Sequence, residues 1–204
     1  MIELRRPRSV MALAVAAVAC LAFPAWRLGR ALLRVEVAGD SMTPALLPGD
    51  FLLLRRGPPA RDDAYGRIVI TNDPRPEGEG RLLLKRVVGL PGEALRVGGG
   101  VQVNGRYLLE PYAHGNDPAE QHRGVHRLAE DTYFLLGDHR AASTDSRDFG
   151  PVARERLSAT AVLRYWPPDR FGRLEAPPRR FLGAAPTPAT HTHEPHEGAD
   201  QGSS

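Results

Sequence analysis

Residues 94–109, ALRVGGGVQVNGRYLL, carry the pattern of antiparallel β-structure. Apolar Leu95 and Val97, and again Val101 and Val103 beyond three glycines, are spaced two apart and in phase, the period of a strand with one buried face. Asn104-Gly105 then interrupts the alternation, and this dipeptide is the strongest short-range signal for a two-residue hairpin turn. On either side the same texture continues. VEV (35–37), FLLLR (51–55), RIVIT (67–71) and RLLLKRVVG (81–89) are short apolar or β-branched runs separated by Gly, Pro and Asp. TYFLLGD (132–138) and SATAVLRYWP (158–167) add two further strands. No long amphipathic helical pattern follows residue 27, and no internal repeat occurs. The expectation is a mainly β domain of antiparallel sheet over 27–175, with the polar stretch 113–130 as an insertion loop.

The chain has 204 residues, room for one ordinary domain with appendages. A hydrophobic fraction of 42% separates it from disordered chains, and 21 Gly with 19 Pro favour a turn-rich β protein over a helical bundle. The net charge of +3 and the absence of a basic run interleaved with aromatics argue against a nucleic-acid partner. Cys20 is the only cysteine, so an intrachain disulfide framework is excluded and a thiolate metal site is not expected. Of the 27 basic residues, Lys85 alone is lysine. Arginine cannot lose its proton near neutral pH and a buried lysine can, so the exception suggests a chemical need.

Residues 9–26, SVMALAVAAVACLAFPAW, are uncharged and bounded by arginines on both sides. Their number is near the lower limit for a membrane-spanning helix, and Trp26 stands where an interfacial aromatic would. A cleavable signal peptide is the competing reading; the apolar run continues past Cys20, which favours a retained anchor. Three arginines flank each side (Arg5, Arg6, Arg8 and Arg27, Arg30, Arg34), so charge leaves the orientation open. Residues 176–204 are rich in Pro, Ala, Thr and His and read as a disordered tail, its His191, His193 and His196 being solvated rather than metal-bound.

Three polar segments stand out from this β framework. Ser41 lies in GDSMTPALLPGD (39–50), Lys85 in LLLKRVVGLPGE (82–93), and GDHRAASTDSRDFGPV (137–152) follows directly on an apolar strand. A serine hydroxyl is a weak nucleophile until a neighbour takes its proton. Lysine can do so only when neutral, and burial among Leu82, Leu83, Leu84, Val87 and Val88 disfavours its ammonium form. The types present therefore suit a Ser-Lys pair.

In this order the three segments resemble the bacterial type I signal peptidases, the membrane-bound Ser/Lys peptidases of family S26; the resemblance extends over about residues 10–172. It implies a coiled antiparallel β-sheet domain with one N-terminal transmembrane helix, no cofactor and no metal. Residues 1–8 would be cytoplasmic, and the catalytic domain would lie outside the cytoplasmic membrane. The implied partners are signal-peptide-bearing preproteins, cleaved after small-x-small motifs such as Ala-x-Ala by a monomer. By position, Ser41 is the implied nucleophile and Lys85 the base, with Ser143 orienting the lysine amine. Met42 would line the substrate-binding wall, and Asp145 with Arg147, Arg86 close by, would brace the site. The Ser41 N–H would be one oxyanion donor.

Two positions depart from the family pattern. Gly39 stands where some members carry a serine whose hydroxyl helps the oxyanion, which leaves the second donor open. His139 replaces an asparagine in the box GDHR. Within proteolysis, the alternative is a dedicated maturation protease for one exported or mobile-element-encoded substrate. A self-cleaving repressor of related fold would need an N-terminal DNA-binding domain where this chain has an apolar segment.

Overall fold

A computed structural model describes residues 30–115 and 124–182. The expected anchor at 9–26 and the end of the chain after 182 lie outside the described residues. Among the described residues no helix is long and apolar enough to cross a membrane.

Strand β1 (Leu32–Glu36) begins three residues before the anticipated 35–37 and ends before Val37, while β2 (Phe51–Arg56), β3 (Ile68–Asn72) and β4 (Leu82–Gly89) fall on the runs anticipated from sequence. They are followed by β5 (Ala94–Val97), β6 (Val101–Val103), β7 (Arg106–Leu108), β8 (Val125–Arg127) and β9 (Thr132–Leu136). A single turn of helix, α1 (Ser146–Phe149), precedes β10 (Val152–Ala153), β11 (Leu157–Trp166), β12 (Gly172–Arg173) and β13 (Phe181–Leu182). The strands form two sheets. The larger has the order β1-β2-β11-β3-β4-β9-β10, with β12 paired to β11, and the smaller the order β13-β7-β6-β5-β8. Every strand pairing among the described residues is antiparallel. The mainly β expectation therefore holds for the described residues.

Asn104 and Gly105 both have positive φ, 50° and 79°, and join β6 to β7 by the turn their sequence announced. The uninterrupted apolar runs of β4 and β9 have a different cause. Val87, Tyr133 and Leu135 enter one buried cluster, whereas Val88, Phe134 and Leu136 enter another with Leu95, Val97, Val101 and Val103 of the smaller sheet. Both faces of β4 and β9 are thus covered, so alternation with polar residues is lost there. A third cluster, with Leu52, Leu54, Ile68, Ile70, Ala159 and Ala161, buries Met42 and Leu46 from the segment after β1.

Two segments are more ordered than their composition suggests. Val125–Arg127, inside the stretch read as an insertion loop, pairs with β5, while residues 116–123 lie outside the described residues. The run 176–182 is seated on the domain rather than free: Phe181 and Leu182 pair with β7, and Arg179 makes a bidentate ion pair with Glu93. The Arg179 guanidinium also stacks 4.8 Å from the Tyr65 ring centroid. A Cβ on Gly66 would lie 2.6 Å from the Pro177 ring, so the strap passes over a position that excludes side chains. Pairing to an exposed strand edge needs only backbone groups, which composition does not reveal.

Candidate active site

Ser41 sits in a tight turn between β1 and β2. Thr43 N–H donates to the Asp40 carbonyl at 2.9 Å and Leu46 N–H to the Met42 carbonyl at 2.9 Å, while Met42 and Leu46 are buried below. The closing Gly-Asp has its own work. Asp50 is 1% exposed, accepts from Leu47 N–H and is ion-paired to Arg170 at 2.9 Å and Arg164 at 3.5 Å. Two apolar anchors and one buried carboxylate thus fix the serine turn at both ends.

Lys85 lies opposite Val69 in the β3–β4 register and is 3% exposed. Its amine is 2.8 Å from Ser41 Oγ and also donates to the Leu84 carbonyl at 3.1 Å. Burial pulls the lysine pKa down from 10.5 to about 8, with the Asp145 and Asp138 charges opposing the shift. In its neutral form this amine has a lone pair within reach of the serine proton, the arrangement that general-base activation requires.

The 137–149 segment closes the site from the other side. His139 N–H donates to the Ser41 carbonyl at 3.1 Å. A Cβ on Gly137 would fall 2.1 Å from Ser143 Oγ and 2.6 Å from the Ser41 carbonyl oxygen, so glycine permits the two turns to touch. Among the described residues Ser143 Oγ is buried without a hydrogen-bond partner, and no hydrogen bond joins it to Lys85. Asp145, 0% exposed, caps α1 and is held by Arg147 through a bidentate pair at 2.9 Å, while Gly137 N–H donates to its Oδ2 at 3.0 Å. Arg86 has a different partner, Asp138, at 2.8 Å from Nε. Of the two arginines near Asp145 in the sequence reading, the ion pair is with Arg147.

Met42 is 1% exposed; it belongs to the core cluster and at the same time lines a groove of about 290 Å³. Val35, Val37, Ala38, Ile70, Leu82 and Leu84 make the groove apolar, and Ser41 and Lys85 stand in its wall. β9 pairs with β4 only from Arg86 onward, at Arg86↔Leu136. The opposite edge of Leu82–Lys85 is therefore unoccupied by β9 beside the groove.

Four charged residues at the site were not assigned roles from sequence: Asp50, Asp138, Arg140 and Glu110. Arg140 and Glu110 form a buried bidentate pair at 2.9 and 2.6 Å. Asp138 and Arg140 lie within the GDHR box, which was the available signal. Glu110 had none, because its partner is 30 residues away.

Comparison with known proteins agrees with this architecture. The profile described as "Signal peptidase, peptidase S26" matches residues 8–166. A signal peptidase I of Leptolyngbya laminosa is 34% identical over 150 residues, covering 70% of this chain and 72% of the relative. A signal peptidase I of Bacillus caldolyticus is 31% identical over 153 residues, covering 66% and 80% respectively. Since the matched region contains all three polar segments and most of both sheets, the chain belongs to the type I signal peptidase family, peptidase S26, and is a peptidase.

Proposed function

We propose that the protein is a serine endopeptidase that removes N-terminal signal peptides from exported preproteins, with Ser41 as nucleophile and Lys85 as general base. The single observation that carries this reading is the 2.8 Å contact between the Lys85 amine and Ser41 Oγ in a buried, apolar setting. The neutral amine takes the hydroxyl proton as Oγ attacks the scissile carbonyl, then returns it to the leaving amine; water hydrolyses the acyl-enzyme in a second round. The Ser41 N–H is assigned as an oxyanion donor, and Ser143 as the residue that orients the lysine amine. The latter is supported by its buried hydroxyl, unpartnered among the described residues, beside the Ser41 turn.

The substrate enters as an extended segment along the open edge of Leu82–Lys85. Such addition satisfies main-chain groups and leaves alternate side chains to be chosen by pockets. The shallow apolar groove over Met42, Val37 and Ile70 suits small residues, in keeping with cleavage after Ala-x-Ala-like motifs. Residues 9–26 are assigned as a single-pass anchor in the cytoplasmic membrane with the catalytic domain outside, which holds the groove where exported chains emerge. The test is to incubate the full chain with a preprotein and sequence the new N-terminus. Cleavage after a small-x-small motif is expected, and Ser41→Ala should retain no more than about a thousandth of the rate. An active Ser41→Ala overturns the reading.

A further inference from the structure

The turn that contacts Ser41 is not held by its own sheet alone. β7 belongs to the smaller sheet, and the chain leaving it runs directly under residues 137–140. His114 N–H donates to the Asp138 carbonyl at 2.8 Å, and Arg140 N–H returns a bond to the His114 carbonyl at 2.9 Å. At the base of this contact, the Glu110 carboxylate grips the Arg140 guanidinium with both oxygens, and the two side chains are 7% and 5% exposed. Arg140 Nε meanwhile donates to the Gly137 carbonyl at 3.1 Å. One guanidinium therefore ties Glu110 to the residue whose missing Cβ lets Ser143 and the Ser41 carbonyl approach. The Tyr112 hydroxyl donates to Glu110 Oε1 at 3.0 Å, and its ring lies 4.3 Å beneath the Arg86 guanidinium, which fixes the carboxylate from behind.

We propose that Glu110 is a positioning residue for the peptidase reaction: acting through Arg140, it sets the 137–140 turn against Ser41. The inference rests on Ser41 being the nucleophile. Its chemical basis is geometric. A bidentate carboxylate–guanidinium pair fixes orientation as well as distance, and small displacements at a nucleophile cost far more rate than binding. The segment leaving the smaller sheet thereby acquires a role in the reaction although none of its side chains belongs to the Ser-Lys pair.

The test compares Glu110→Gln with Glu93→Gln in the full chain, using a synthetic peptide with an Ala-x-Ala cleavage site. Glu93, just before β5, pairs with Arg179, just before β13, and among the described residues no hydrogen bond or ion pair joins it to residues 137–140. Glu110→Gln should lose about 10- to 100-fold in kcat with KM held within about twofold, while Glu93→Gln keeps kcat within about twofold. Equal losses in the two variants, or a loss confined to KM, overturn the proposal. Should Glu110→Gln not fold, Arg140→Lys carries the test, because lysine cannot bind Glu110 bidentately and reach the Gly137 carbonyl together. Wild-type kcat in folded Arg140→Lys overturns the proposal. Ser41→Ala separates the two levels. If it is inactive and Glu110→Gln is normal, only the Glu110 role fails; if it is active, the nucleophile reading fails and the positioning role with it.

Discussion

Lys85 Nζ and Ser41 Oγ, 44 residues apart in sequence, lie 2.8 Å from each other with the lysine almost wholly buried. The amine's low pKa of about 8, caused first by burial, makes the neutral form accessible at mildly alkaline pH. Cleavage should rise with pH through about 8 and level off above it. Lys85→Arg should fold yet be inactive from about pH 6 to about pH 10, since guanidinium keeps its proton throughout. Wild-type-like cleavage by Lys85→Arg would rule out the Ser-Lys mechanism.

The same lysine links stability to pH. Its folded pKa of about 8 is below the unfolded 10.5, so between these values the unfolded chain binds more protons. Stability should therefore rise with pH across that window, and the cost of burying the ammonium is fully present below it. Lys85→Met should remove that contribution and raise the melting temperature at neutral pH. A variant no more stable than wild type at pH 7 would show that the charge is not desolvated.

Gly137→Ala should fold and lose about tenfold or more in turnover, because its Cβ displaces a turn in contact with Ser41, the proposed nucleophile. The obstacle includes the Ser41 backbone, at 2.6 Å, so rotating a side chain cannot relieve it. Undiminished kcat would mean that the contact does not set Ser41.

Asp145→Asn should be felt first in folding. It leaves the Arg147 guanidinium, 3% exposed, without its carboxylate and weakens the cap of α1. A loss of about 3–5 kcal/mol is expected for breaking a pair at this depth, measured by urea unfolding. An inactive variant of unchanged stability would move Asp145 from brace to chemistry.

Truncation should distinguish the two parts of the C-terminal segment. Ending the chain after Leu182 should leave cleavage within about twofold, as the remaining residues are polar and Pro-rich. Ending it after Glu175 removes the Arg179–Glu93 pair and the stacking on Tyr65, and should cost about 1–3 kcal/mol. Equal thermal midpoints for the two truncations would show that residues 176–182 contribute nothing.

Local patterning was enough to place the longer strands, though not β8, β10, β12 or β13, because period-two burial and the Asn104-Gly105 turn are written in adjacent residues. It did not by itself single out Ser41, whose window reads as an ordinary turn, or Lys85, whose strand could equally face solvent; the three polar segments taken in order, through their family resemblance, were what pointed to the pair. Charge partnership was another matter. Arg86 faces Asp138 rather than Asp145, Arg140 reaches Glu110, and Asp50 gathers Arg164 and Arg170. In a chain with 27 basic and 24 acidic residues many pairings are compatible with composition. Only the register of β4 with β9, and the packing of the smaller sheet against them, brings particular charges together. The strap 176–182 follows the same rule, since the edge of β7 that it covers exists only once the sheet has formed.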